Sequence, residues 1–146
     1  MTQQLPVFVY GTLRRGQCNH RIVGGCLDAV HEARLPAHRL YAHGLPYIAA
    51  DPAGESTVTG DLLVISAADY AGALAALDQL EGFRPPDGGL YVRAARPVTF
   101  RVGQDGPWET ASAWVYLGGK RFPYQDDLVV PGGDWLAAQA ARYARA

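Results

Sequence analysis

The clearest helical segment of the chain lies among segments that are typical of β-strands. Ser66 to Leu80 is rich in alanine and leucine, which are among the strongest helix formers. Ser66 is a candidate N-cap with Asp69 three residues further on, and Gly82 accepts the left-handed conformation in which many helices end. We therefore predict a helix over Ser66–Leu80 that stops at Gly82.

Strand-like segments precede and follow this helix. Pro6–Tyr10 is a short apolar run that predicts a fully buried central strand. Other predicted elements are strands at Glu32–Tyr41, Thr57–Ile65, Tyr91–Val102 and Trp108–Leu117, and a helix at Trp135–Arg145 capped by Asp134. Residues 43–56 are predicted to be turns around a brief extended piece, and 83–90 and 118–133 are predicted to be irregular connections. Strands in succession with few helices favour an α+β fold with a mainly antiparallel, curled sheet over a βαβ arrangement.

The composition is that of one folded domain spanning residues 1–146. Hydrophobic residues make up 49% of the chain, and its 13 basic and 14 acidic residues form no basic patch. A nucleic-acid partner is therefore not expected. No apolar run is long enough to span a bilayer, and the N-terminus lacks a signal-peptide pattern, so we expect a cytoplasmic protein with no membrane partner.

The cysteines and histidines show no pattern of a disulfide framework or a metal site. Cys18 and Cys26 are the only two cysteines, and the four histidines form no closely spaced ligand pair. Free thiols are the simplest interpretation. We expect neither a metal nor an organic cofactor.

Glu81 fits its local pattern least well. The apolar stripe of the predicted helix is Tyr70, Leu74 and Leu77, and Glu81 falls within about 40° of the centre of that stripe. Burial raises the pKa of a carboxyl group, and the negative end of the helix dipole acts in the same direction. Glu81 is therefore a candidate general acid and base. Alternatively, it turns outward or pairs with Arg84 or Arg93.

A second candidate is the turn at the end of the first predicted strand. Gly11 lets the backbone turn sharply, and the amides that follow can form a concave site for an anion. Thr12 adds a hydroxyl donor, and Arg14 and Arg15 add positive charge, which suits a ligand carboxylate. Taken alone, the segment is also compatible with a tight turn carrying two solvated arginines.

Other side chains are weaker candidates. Tyr91, Tyr116 and Tyr124 have hydroxyls that can line a pocket, although core packing is the more common role of such aromatics. No serine has the context of a nucleophile elbow. Cys18 and His20 are too close along the loop to form a typical catalytic pair.

Two blocks of residues resemble a known superfamily. They are Phe8-Val-Tyr-Gly-Thr-Leu-Arg-Arg-Gly16, followed by Gln17 and Asn19-His20, and Leu77-Asp-Gln-Leu-Glu-Gly82. Together they resemble the γ-glutamylcyclotransferase-like superfamily, and within it the γ-glutamylamine cyclotransferases in particular. The similarity continues at Tyr91-Val-Arg93, Trp114-Val-Tyr116 and Gly133-Asp-Trp135, so it covers nearly the whole chain.

This resemblance implies a small mixed, mainly antiparallel β-barrel with a few flanking helices and a cavity at one end. It also implies a reaction, in which the α-amine of a γ-glutamyl compound attacks its own γ-carbonyl and releases 5-oxoproline and an amine. By the same resemblance, Glu81 is the catalytic residue and Tyr10, Gly11, Thr12 and Leu13 bind the γ-glutamyl group. The segment between Gly82 and Tyr91 is longer than in the shortest members, and we expect it to affect which substrates fit.

Three functions are compatible with these observations. The first is a cyclotransferase that acts on a γ-glutamyl amine or amino acid. The second is a non-catalytic module that binds a small metabolite in the same cavity, and the third is another γ-glutamyl amide transfer. The sequence does not identify the leaving amine, and no feature predicts an oligomeric state.

Overall fold

The computed structural model describes residues 4–84 and 88–144. In this part of the chain there are two α-helices, α1 (Tyr70–Glu81) and α2 (Trp135–Ala144). The strands are β1 (Val7–Val9), β2 (Leu27–Pro36), β3 (His38–His43), β4 (Leu45–Ala50), β5 (Thr57–Ile65), β6 (Phe83–Arg84), β7 (Gly88–Gly89), β8 (Tyr91–Arg101) and β9 (Glu109–Gly118).

Five of the strands form a closed barrel in the order β1-β5-β2-β8-β9. The barrel closes through β1 and β9, which pair in parallel, whereas its other neighbouring strands are antiparallel. The hairpin β3–β4 is a separate two-stranded sheet. The α+β class and the mixed, mainly antiparallel barrel are therefore confirmed.

β1 is buried on both faces, as its unbroken apolar sequence predicts. Val7 and Val9 belong to a core cluster that includes α1, whereas Phe8 and Tyr10 belong to a second cluster that includes β3, β4 and Trp135 of α2. Phe8 has no exposed surface. Burying such a side chain stabilises the fold by about 1.5–3 kcal/mol. The turn that follows β1 is thereby anchored in the middle of the molecule.

The helices differ from the predicted ones mainly at their starts. A 3-10 turn, Ala67–Asp69, precedes α1, and the Ser66 hydroxyl donates to the Asp69 carboxylate at 2.7 Å instead of capping a backbone amide. Gly82 adopts φ 66° and ends α1, as predicted. Asp134 caps α2 through its carboxylate, which accepts from the Ala137 amide. No helix in residues 4–84 or 88–144 is both long and apolar enough to cross a membrane.

Two predicted elements are wrong in their boundaries. The predicted strand Glu32–Tyr41 is interrupted at Ala37, whose φ of 60° separates β2 from β3. The predicted loop at 83–90 contains a short pairing of β6 with β7. Residues 85–87 of that loop, and the last residue of the predicted helix Trp135–Arg145, lie outside the described residues.

Candidate active site

A cavity of about 200 Å³ lies where β1 runs into the turn Tyr10–Leu13. All the residues that the sequence marked as catalytic or substrate-binding contribute to its wall: Tyr10, Gly11, Thr12, Leu13, Glu81, Tyr91 and Tyr116. They come from β1, α1, β8, β9 and the loop after β1, so the barrel brings together groups that are far apart along the chain.

Glu81 is the last residue of α1 and is partly buried in this wall. Its removal from water raises the pKa of the carboxyl group from 4.5 to about 7. Neither of the predicted partners pairs with it, because Arg93 donates to Asp78 at 2.9 Å and Arg84 has no ion pair within the described chain. Near neutral pH this carboxyl group can accept and return a proton with little cost.

In the turn Gly11–Leu13, the backbone carbonyls have hydrogen-bond partners, whereas the backbone amides have none among the described residues. The Gly11 and Thr12 carbonyls accept from the amides of Arg14 and Asn19 at 3.1 and 3.0 Å, and the Leu13 carbonyl accepts from His20 Nδ1 at 2.9 Å. By contrast, across residues 4–84 and 88–144 the amides of Gly11, Thr12 and Leu13 donate to no protein acceptor. Gly11 and Leu13 are buried, and buried amides without a partner are rare. These amides are therefore available to an anionic or carbonyl oxygen in the cavity.

Asn19, which was not among the predicted site residues, orients the Thr12 hydroxyl so that it can donate to a ligand. Asn19 Nδ2 donates to Thr12 Oγ1 at 2.8 Å, and Asn19 also lines the cavity. Since the Thr12 oxygen accepts this bond, its own proton can be directed to a ligand. Asn19 lies in a loop with no periodic pattern. The only sequence signal for it is its position in the segment beginning at Phe8 that resembles the superfamily.

The tyrosines contribute rings more than free hydroxyls. Tyr10 donates to the Tyr116 carbonyl, Tyr91 to the Pro46 carbonyl, and Tyr116 to the Asp78 carboxylate, each at 2.7 Å. Burial raises the pKa of all three hydroxyls, and the nearby Glu81 charge adds to this effect. These three side chains therefore contribute neutral aromatic surface to the cavity wall.

Asp78 joins these groups into one network. Its Oδ1 accepts from Tyr116 and from Arg93, and it lies three residues before Glu81 on α1. Tyr10, at the start of the turn, donates in turn to the backbone of Tyr116. The network thus connects the turn to the end of the helix that carries Glu81. Within this network Asp78 forms a partly buried ion pair with Arg93.

Arg14 and Arg15 do not add charge to the cavity as predicted. Arg14 pairs with Asp61 and Asp134 at 3.5 and 3.4 Å, and Arg15 donates to the Val30 carbonyl. Neither residue lines the cavity. The donors that remain in the wall for an anion are the backbone amides of the turn and the Thr12 hydroxyl.

Cys18 and His20 do not act as a pair in the structure. Cys18 is exposed, whereas the His20 ring donates to the Leu13 carbonyl and so supports the turn. Within the described ranges, no cluster of three or more His, Cys, Asp or Glu side chains is arranged to hold a metal ion.

Comparison with solved structures shows the same fold in several proteins. YkqA from Bacillus subtilis matches with a TM-score of 0.67 at 21% identity over 96% of this chain, which spans only 42% of YkqA. An AIG2-like protein from Mus musculus matches with a TM-score of 0.66 at 22% identity over 90% of this chain and 87% of its own. PH0828 from Pyrococcus horikoshii, an uncharacterized protein, gives 0.60 at 16% identity over 96% and 97% of the two chains.

Sequence comparison identifies the family. No curated protein sequence matches the chain significantly. Residues 7–137, which include the whole wall of the cavity, match the family described as "Gamma-glutamyl cyclotransferase, AIG2-like". The chain belongs to the AIG2-like γ-glutamyl cyclotransferase family.

Proposed function

We propose that this protein cyclises a γ-glutamyl compound to 5-oxoproline and releases an amine or amino acid. One observation carries the proposal. A single cavity is lined both by Glu81, whose pKa is about 7, and by the turn amides of Gly11–Leu13, which have no acceptor among the described residues. These are the two groups that intramolecular aminolysis of an amide requires.

Glu81 supplies the proton transfers. The α-ammonium group of the substrate must lose a proton before its nitrogen can attack the γ-carbonyl, and the Glu81 carboxylate accepts it. A bond then forms between the α-nitrogen and the γ-carbon, and the bond from that carbon to the leaving nitrogen breaks. The leaving nitrogen takes this proton back from Glu81. Glu81 then carries the second proton, which the α-nitrogen loses on attack, to the same nitrogen, so that 5-oxoproline keeps one N–H and the amine departs as an ammonium ion. No water is consumed, and the carboxylate is restored.

The turn supplies binding and orientation. The amides of Gly11, Thr12 and Leu13 suit either the substrate carboxylate or the oxygen that becomes negative during attack. Because nucleophile and electrophile belong to one molecule, holding it folded provides much of the acceleration. The apolar walls strengthen these interactions by excluding water.

The direct test is a product assay with a panel of γ-glutamyl amides and γ-glutamyl amino acids. Mass spectrometry and amine detection should show 5-oxoproline and free amine in equal amounts. Saturable binding of the panel without product would indicate a metabolite-binding protein. Free glutamate in place of 5-oxoproline would indicate hydrolysis.

We expect the reaction to depend on pH through Glu81. The base must be ionised when substrate arrives, so kcat/KM should rise with pH and level off above the Glu81 pKa of about 7. One pH unit below that value, about a tenth of the enzyme carries the carboxylate, and kcat/KM should be about tenfold lower than on the plateau. A limb centred near the ordinary pKa of glutamate would contradict the assignment.

We expect Tyr116→Phe to loosen the network that positions Glu81. Loss of the hydroxyl that donates to Asp78 should cost about 1–2 kcal/mol of folding free energy and lower kcat several-fold, with little change in KM. Tyr70→Phe is the matched control, because the hydroxyl of this residue, which starts α1, donates to the Leu5 carbonyl outside the cavity. An equal loss of kcat in both variants would show that Tyr116 has only a general structural role.

A further inference from the structure

A second pocket adjoins the catalytic cavity and is larger, with a volume of about 750 Å³. Its wall includes Tyr47, Arg84, Leu90, Gly119, Arg121 and Phe122. Leu90 lines both spaces, so they meet at this side chain. The catalytic cavity, at about 200 Å³, has room for a γ-glutamyl group but little for a leaving amine of any size.

An aromatic wall runs from one space to the other. The Tyr91 ring, which lines the catalytic cavity, stacks on Tyr47 with ring centroids 4.9 Å apart. Tyr47 stacks in turn on Phe122 at 4.1 Å, and both of these rings line the second pocket. An apolar part of a ligand that leaves the catalytic cavity past Leu90 therefore meets a continuous apolar surface.

Close backbone packing holds the loop that carries Arg121 beside Leu90. The Gly119 amide donates to the Leu90 carbonyl at 2.9 Å. A Cβ at Gly119 would lie 2.8 Å from that same oxygen and 2.6 Å from the Gly89 carbonyl oxygen. Glycine is therefore required at position 119, and the positions of the two segments relative to each other are well defined.

The charge of this pocket is positive. Arg84 and Arg121 are exposed at its rim, and neither makes an ion pair within residues 4–84 and 88–144. In contrast, Arg14 and Arg93, which line neither pocket, are both paired with aspartates. Guanidinium groups without a carboxylate partner are suited to bind a carboxylate or another acidic group.

We propose that the second pocket is the leaving-group subsite and that it selects leaving amines that carry an acidic group. The apolar frame of the leaving amine lies along the Tyr47–Phe122 wall, and its acidic group lies at Arg84 and Arg121. This inference rests on the proposed cyclotransferase activity. It distinguishes γ-glutamyl conjugates of amino acids from those of simple alkylamines.

The test uses two matched series of substrates. One contains γ-glutamyl amides of ω-amino acids of increasing chain length, and the other contains γ-glutamyl amides of the corresponding n-alkylamines, which lack the carboxylate. We expect the wild-type protein to prefer the acidic series in kcat/KM. Arg121→Gln and Arg84→Gln should each lower this preference about fivefold, as expected for one charged contact at a pocket rim. Arg96→Gln removes the same charge outside the second pocket and should keep the wild-type preference.

Equilibrium binding separates this inference from the proposed function. The Glu81→Gln protein binds both series without chemistry, so its preference reports the subsite alone. Tighter binding of the acidic series, reduced by Arg121→Gln, would support the subsite even if no 5-oxoproline were formed by the wild-type protein. Equal binding and equal turnover of the two series would overturn the subsite and leave the cyclotransferase proposal intact.

Discussion

Replacing Glu81 with glutamine should lower 5-oxoproline release by about a hundredfold to ten-thousandfold, the usual contribution of one general acid–base group. Glutamine has nearly the same shape, so it keeps the cavity but cannot accept the α-ammonium proton. The measurement is kcat/KM for the best substrate of the panel. Glu109→Gln, which changes an exposed glutamate on β9, is the matched control and should retain wild-type turnover. Unchanged turnover in Glu81→Gln would refute the catalytic assignment.

The same variant should be more stable than the wild type at alkaline pH. The carboxyl of Glu81 gives up its proton near pH 4.5 in the unfolded chain but only near 7 in the folded one. Between these values the unfolded state binds fewer protons, so the wild-type stability falls as pH rises and stays lower above 7. Glu81→Gln removes this dependence and should add about 1–3 kcal/mol at pH 8 relative to the wild type, measured by urea unfolding. Together, lost turnover and raised stability would distinguish a functional residue from a structural one.

Gly60→Ala should cause a large loss of stability, because Gly60 lies on β5 against β1. A Cβ at Gly60 would collide with the Val9 carbonyl oxygen and lie 2.6 Å from Phe8 Cζ. Backbone and a fully buried ring cannot move aside easily, so we expect a cost of about 3 kcal/mol or more. Because β1 leads into the turn at Tyr10–Leu13, displacing it should also reduce turnover in the fraction that still folds.

Gly72→Ala is the matched control for this substitution. Gly72 lies in α1, and a Cβ there meets nothing within 4 Å. Alanine is the better helix former, so the variant should be about 0.5–1 kcal/mol more stable than the wild type. Thermal unfolding of both variants checks the pair. A mild effect of Gly60→Ala, similar in size to that of Gly72→Ala, would show that β1 can shift without cost.

Local patterns account for the elements that were predicted well. Thr57–Ile65 is a strand with the predicted bounds, and Gly82 ends α1 in the left-handed conformation. In both cases the signal lies in neighbouring residues. For the strand it is the alternation of apolar residues, and for the end of α1 it is a glycine directly after a segment rich in alanine and leucine. The burial of Glu81 followed in the same way from the helical period of Tyr70 and Leu77.

Non-local contacts account for what the patterns missed. Leu63 should face away from the core by strand alternation, yet it is buried against the α1 cluster, while Leu62 is buried in the other. The break between β2 and β3 does have a local signal, since Pro36, a turn-favouring residue, directly precedes Ala37, but the strand-like residues on both sides outweighed it. Arg14 has no nearby acid in the sequence, but Asp61 and Asp134 reach it from distant elements.

The sequence by itself determined the α+β class, the strand that leads to the turn, and the position of Glu81 on the apolar side of its helix. These follow from period, propensity and glycine geometry, which act over a few residues. The tertiary structure alone decided that Glu81 has no ion-pair partner among the described residues and that the amides of Gly11–Leu13 have no acceptor there. It also decided that Arg121 shares a pocket with Leu90, which lines the catalytic cavity. These depend on barrel closure, because a hydrogen bond, a pKa and a pocket are set by the groups that surround a residue in space.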